Sequence, residues 1–213
     1  MSSLRPLAGF SIEALLRTGS RSALYRGRRL SDGASVLLER LRPGRVTTRA
    51  RERLAREREC LTRFDHPSIA RLRAVVPDDD DASALVLEDP GGELLAREYP
   101  LGTIDLDSFL HVARSLASAL LTVHEAGFVH RNVKLDSVLA DASSGRVTLF
   151  NFGLAARADA SRVRDELLGS PAYMAPEQTG RMNRKVHYHN DYYALGVTFY
   201  EALTGQLPFE TSH

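Results

Sequence analysis

The sequence predicts an α+β fold in which a β-rich first half is followed by a mainly helical second half. Two features carry that prediction. Apolar residues before position 89 fall in short runs separated by turn formers, with one helical stretch among them, whereas farther on they recur at the helical period. Between the two kinds of text, Asp89-Pro90-Gly91-Gly92 has the composition of a linker.

The first three runs, 10–16, 22–26 and 35–38, are separated by Thr18-Gly19-Ser20 and Ser31-Asp32-Gly33, which predicts three antiparallel strands joined by tight turns. Over 47–64 the text turns helical, with Leu54, Leu61 and Phe64 on one stripe. Glu57 shares that stripe. It is either a carboxylate turned toward the core, which needs a cationic partner there, or a solvated residue on a slightly rotated helix. The arginines from Arg45 to Arg58 are interspersed with Glu52 and Glu57, the pattern of a salt-bridged solvent face. Strands are predicted over 69–76 and 84–88, with Pro77 and the acidic run from Asp78 to Asp81 as the loop between them. Past the linker, 105–126 places Phe109, Val112, Leu116, Leu120 and Val123 on one face, begins at Asp105 and stops before Gly127, which predicts a long helix. A strand pair, 137–140 with 147–150, and a last helix over 191–204, ended by Gly205 and Pro208, complete the expected elements.

In 213 residues, 43% hydrophobic and 26% charged is the balance of a globular chain with a real core. Lys plus Arg number 28 against 27 Asp plus Glu, a formal charge of +1, so no global field directs the chain to nucleic acid or to a membrane surface, and neither is an expected partner. Cys60 is the single cysteine, which excludes an internal disulfide and the thiolates of a structural zinc site, so a cytoplasmic location is expected. No stretch is apolar enough to span a membrane, and Arg5, Glu13 and Arg17 interrupt the place where a signal peptide has its apolar segment. His187 and His189, flanking Tyr188, lack further placed ligands and read as incidental to metal binding.

Three ordered motifs carry a family resemblance. His130-Arg131-Asn132-Val133-Lys134-Leu135-Asp136-Ser137 follows a long helix, Asn151-Phe152-Gly153 follows a strand pair, and Ala175-Pro176-Glu177 follows an irregular segment. In order and spacing they resemble the catalytic loop, the metal-binding D-F-G and the A-P-E of protein kinases. Leu85 to Gly92 and Tyr173 to Arg184 look more narrowly like the amino-terminal kinase-like domain of large bacterial signalling proteins that also contain an ATPase module and a sensor histidine kinase. The resemblance implies a bilobal protein-kinase-like fold: a small β-rich N-lobe with one helix over 1–88, a hinge over 89–92 and a mainly α C-lobe over 93–213. That C-lobe would lack its last helices.

The resemblance also implies which positions should hold chemistry, and most carry another residue type. The family's phosphate-holding lysine matches Glu39, facing Glu57, the matching glutamate of the helix. Two carboxylates so close raise one pKa or separate, so the helix is expected to be displaced or Glu57 to borrow an arginine. The catalytic aspartate matches Asn132, which cannot accept a proton. The metal ligands match Ser137 and Asn151, a degenerate pair expected not to bind. Lys134 survives and is expected to pair with local carboxylates. Among the cofactor-facing positions the glycine strip keeps only Gly19; Leu24, Leu37, Leu87, Glu88 and Leu139 would surround an adenine ring, and Pro90 removes the hinge N–H that would bond it. Skeleton positions are kept: Leu61, Leu72, His130 and Phe152 match the apolar column joining the lobes, and Asp191 can still bond the catalytic loop.

The expectation is therefore a pseudokinase, a signalling or scaffold module without phosphotransfer that needs no cofactor and engages a protein partner or adjoining signalling domains. An active or weakly active ATP- and Mg-dependent Ser/Thr protein kinase is the alternative, and a truncated, non-functional kinase fragment the second alternative. Self-association through an incomplete C-lobe, with one flank of the last helix left wet, belongs to the same expectation. Ser161, beside Arg162 and Arg164, is a candidate phosphate acceptor, and Ser170 has a structural role.

Overall fold

Strands β1 (Phe10–Thr18), β2 (Ser22–Arg29), β3 (Ser35–Leu41), β4 (Leu72–Pro77) and β5 (Ser83–Glu88) form one antiparallel sheet in the order β1-β2-β3-β5-β4 in a computed structural model. It describes residues 7–78, 82–158, 170–179 and 187–209. Alternation along each strand sends Leu24, Leu37, Leu85 and Leu87 to one face and Tyr25, Val36, Leu38 and Val86 to the other. Both faces are covered, so β3 is buried almost from end to end. The structure extends the expected loop boundary: Pro77 is the last residue of β4 and lies on the sheet edge, where a missing N–H breaks no ladder. Ile69 lies outside β4 and bridges Leu149 in parallel.

Between β3 and β4 runs α1 (Thr48–Leu61), capped by the Thr47 hydroxyl, which accepts from the Ala50 N–H at 3.2 Å. Its inward stripe is Ala50, Leu54, Glu57, Cys60 and Leu61. The solvated reading of Glu57 is thereby overturned: the residue is 4% exposed. Burial pushes the Cys60 thiol up to about 12 and leaves it inert.

After the linker come β6 (Glu93–Leu94), the one-turn α2 (Leu95–Glu98), α3 (Leu106–Glu125), β7 (Phe128–Val129), β8 (Val138–Asp141), β9 (Arg146–Leu149), β10 (Ala156–Arg157) and α4 (Tyr188–Thr204). β6, β8 and β9 make a small antiparallel sheet, and β10 pairs with β7. The short elements β6, α2, β7 and β10 escape sequence periodicity, since two to four residues cannot display a period. The Asp105 carboxylate caps α3 through the Ser108 N–H at 3.0 Å. α4 starts one turn before the expected Asp191, because the Asn190 side chain accepts the His187 N–H at 2.7 Å and satisfies the first turn. Gly205 ends it at φ 76°, a left-handed position that a side chain would strain.

The inner face of the five-stranded sheet, α1, α3 and the β8–β9 hairpin share one continuous apolar core. Gly92 makes the junction between halves tight: at φ 65°, a Cβ there would lie 1.8 Å from the Ala140 carbonyl oxygen. The outward flank of α4 exposes Tyr192, Tyr200 and Leu203. Among the described residues no helix is long and apolar enough to cross a membrane.

Of two leucines on α3, Leu120 is fully buried and Leu110 half exposed. Leu120→Ala is expected to lower unfolding free energy by about 2–5 kcal/mol and Leu110→Ala by under about 0.5 kcal/mol in urea titrations. Equal costs contradict the packing described.

Candidate functional site

Asp191, buried at the start of α4, organises the loop before β8: its carboxylate accepts the His130 N–H at 2.7 Å, the Arg131 N–H at 2.8 Å and His124 Nε2 at 2.9 Å. His130, fully buried, accepts the Asn132 N–H at Nδ1 and so donates its Nε2–H to the Phe150 carbonyl at 3.0 Å. Burial pushes its pKa down, which keeps this neutral tautomer. Its ring packs on Phe152 with centroids 4.5 Å apart, and Phe152 meets Phe64 at 5.5 Å. Leu61 is buried beside them in the same core, and Leu72 packs against it half-buried.

Facing this loop across the cleft, Glu39 on β3 accepts the Arg17 Nη2–H at 2.8 Å and the Ser22 hydroxyl at 2.5 Å. Arg17 comes from β1, and its guanidinium also covers the Phe150 ring at 5.4 Å. The pair is nearly dry, with side chains 9% and 2% exposed, and Arg17 Nε and Glu39 Oε2 lack hydrogen-bond partners. The expectation for Glu57 is corrected. The helix is not displaced, because Glu57 Oε1 accepts the Phe152 N–H at 3.0 Å, and the arginine goes to Glu39 instead. Burial first, and then the Glu39 carboxylate, push the Glu57 pKa up to about 8, so two facing carboxylates coexist by leaving one protonated.

The donors beneath Glu57 are neutral and satisfied by one another. Asn151, at φ 70°, donates its side-chain N–H to Ser137 Oγ at 3.2 Å, and Ser137 Oγ donates to the Asn132 carbonyl at 2.8 Å. Asp136 turns away to Lys134, Nζ to Oδ2 3.2 Å. A hard divalent ion asks for carboxylate oxygens, and Asn132, Ser137 and Asn151 offer an amide, a hydroxyl and an amide. Among the described residues no three His, Cys, Asp or Glu side chains gather to hold a metal, and His187 and His189 stack on each other without a third ligand. The residues present do not fit magnesium.

The apolar positions expected around a base are closed. Leu24, Leu37, Leu87 and Leu139 are each 1% exposed or less, as is Phe150 under Arg17, so even water does not reach between them. Gly19 spends its N–H on the Ser22 carbonyl at 2.8 Å, and Arg42 occupies its carbonyl oxygen at 3.0 Å. At the hinge Arg26 clamps both Asp89 carboxylate oxygens, at 2.9 and 3.2 Å, and the Gly92 carbonyl at 2.7 Å. Pro90 sits inside this clamp, while Glu88 lies at the end of β5 and pairs outward with Arg73. What remains open is a cavity of about 240 Å³ between the β1–β2 turn, α1 and residues 132–134. Ser170 lines it; Ser161, Arg162 and Arg164 lie outside the described residues. Sequence reasoning missed Arg17 and Arg26 as positioning residues. The signal available for Arg17 was a long cation beside a carboxylate that had replaced a lysine.

A sequence model described as "Protein kinase domain" matches residues 10–213. The chain is 29% identical over 216 residues to serine/threonine-protein kinase pkn3 of Myxococcus xanthus, covering 95% of this chain and 39% of that protein. It is 32% identical over 200 residues to the hormonally up-regulated neu tumor-associated kinase of Mus musculus, covering 91% and 28%, and 28% identical over 215 residues to serine/threonine-protein kinase ATG1a of Arabidopsis thaliana, covering 99% and 34%. The chain thus spans well under half the length of these relatives.

Glu57 yields a pH signature. Folded, it stays protonated up to about 8, against an ordinary value of 4.5, so folding takes up a proton between those values and stability falls as pH rises across that window. Glu57→Gln keeps an acceptor for the Phe152 N–H and cannot ionise. It is expected to match the parent near pH 4.5 and to become progressively the more stable of the two up to about pH 8, in urea melts at several pH values. Parallel profiles contradict a protonated Glu57.

Proposed function

Because the chain belongs to the protein kinase domain family, we propose that it is a pseudokinase: a kinase-shaped signalling module that engages a protein partner or adjoining domains and does not transfer phosphate. One observation carries the reading. At the position where the family resemblance calls for a phosphate-holding lysine, Glu39 is buried and locked to Arg17 and Ser22. A carboxylate there repels a triphosphate, and its partner arginine, seated over Phe150, covers the place a base would enter.

The rest of the cleft supports the same reading. Phosphoryl transfer depends on positioning and charge neutralisation. Asn132 cannot take a proton, and Ser137 and Asn151 satisfy each other instead of a metal. Losing one such electrostatic element costs about a hundred- to a thousandfold in rate, and here several are altered as a unit. A cytoplasmic location belongs to this proposal. The exposed Tyr192, Tyr200 and Leu203 on α4 support a protein contact as its means of action.

A second reading, an active Ser/Thr kinase, is favoured by a different observation. The Asp191 hub, the edge-to-face His130–Phe152 contact and the Glu57–Phe152 bond keep the two halves in register, and the relatives named above are called serine/threonine-protein kinases or kinases. Thermal-shift titration with ATP, once with magnesium and once with EDTA, separates the two. A ligand held at 100 times its Kd stabilises by about 2.7 kcal/mol, a rise of roughly 5–10 °C for a chain of this size. The pseudokinase reading predicts no magnesium-dependent rise. A rise that requires magnesium favours the enzyme.

A further inference from the structure

We propose that His187 and His189, at the start of α4, form a chelating site for a borderline divalent transition metal, copper before zinc, with the remaining coordination positions open. Neither residue lines the cleft cavity, so the site stands whether or not the cleft transfers phosphate.

The local fold brings the pair together. Residues two apart within a helix do not face each other. Here His187 is the N-cap, with extended backbone at φ −141° and ψ 167°, while His189 already belongs to the first turn. The Asn190 side chain accepts the His187 N–H at 2.7 Å, and the Asn190 N–H donates to the His187 carbonyl at 2.9 Å, which fixes this entry into the helix. The two imidazoles consequently stack, with centroids 4.9 Å apart and planes 24° apart, and Nδ1 lies 3.1 Å from Nδ1. A wall of rings backs them. His187 meets Tyr188 edge-on at 4.9 Å, Tyr188 packs on His124 at 4.6 Å, and His124 is held by the buried Asp191 at 2.9 Å. Both histidines are exposed, yet their placement is inherited from the core.

The nitrogen spacing is the bite of a chelate. With metal–nitrogen bonds of about 2.0–2.1 Å, nitrogens 3.1 Å apart subtend roughly 95–100° at a shared ion, between the square-planar and tetrahedral angles. Turning each exposed ring about Cβ–Cγ, a soft torsion in histidine, aims both lone pairs at that ion. Without metal the rings share a hydrogen bond, one Nδ1–H donating to the other Nδ1. When both Nδ1 atoms ligate, the donor ring moves its hydrogen to Nε2, so each imidazole keeps one N–H and no net proton is released. The sequence leaves this pair incidental because an H-x-H spelling does not encode the distance between its nitrogens. Imidazole selects copper, nickel and zinc over magnesium and calcium, with copper tightest. Among the described residues no further His, Cys, Asp or Glu joins the pair, which leaves the other positions to water or to a partner's side chain.

Electron paramagnetic resonance of the untagged full chain with an equimolar amount of Cu²⁺ reads the site directly. A single species with two imidazole nitrogens bound is expected, unchanged by excess Mg²⁺. In titrations followed by Cu²⁺ absorption, His189→Gln and His187→Asn, which keeps an N-cap acceptor, are each expected to weaken binding about 100-fold through loss of the chelate. His111→Gln, at another exposed histidine, is expected to change nothing. A spectrum with fewer than two imidazole nitrogens, binding unchanged in either of the first two variants, or an equal loss in His111→Gln overturns the inference. The spectrum of the parent chain decides the question even where a variant fails to fold.

Discussion

The buried Arg17–Glu39 pair is the constraint on which the cleft depends. A single charged contact at 2.8 Å joins β1 to β3 in nearly dry surroundings, where ions are stable only when matched. With Glu39 paired to Arg17 beside it, and buried itself, Glu57 is pushed toward its protonated form and serves as an acceptor for the Phe152 N–H. The same guanidinium lies on Phe150 and closes the apolar slot behind it. Glu39 thus links the charge state of α1 and the packing of the cleft.

The scaffold around that cleft obeys a different constraint. Asp191 ties His124, His130 and Arg131 together, His130 ties Phe150 and Asn132, and Phe152 packs between His130 and Phe64. These bonds involve backbone groups and buried rings, so they do not depend on whether residue 132 or 151 is an acid or an amide. The kinase shape therefore does not depend on acid–base or metal chemistry at those positions. Arg26, which clamps Asp89 and Gly92, adds a fixed bracket at the junction of the two halves.

The regular elements were legible because periodicity and caps are local. Thr47 and Asp105 announce the starts of α1 and α3 as N-caps, and Gly205 the end of α4. The start of α4 was displaced by one turn because the Asn190 to His187 bond carries no periodic signal. In the site, the residue types at Glu39, Asn132, Ser137 and Asn151 are visible in the letters themselves. Their consequences are not, because each rests on a partner distant in sequence: Arg17 for Glu39, Phe152 for Glu57, Arg26 for Asp89. Sequence left Glu57 among a raised pKa, displacement and a borrowed arginine, and the choice of the first rests on a burial depth that the letters do not encode.

Transfer of label from ATP radiolabelled at its γ-phosphate, with magnesium or manganese present, to the chain itself and to Ser/Thr peptides tests the central claim most directly. A cleft that sets a buried carboxylate and an amide–hydroxyl pair against the triphosphate leaves label at the level of heat-denatured protein. Label above that level which disappears on Asn132→Ala contradicts the account.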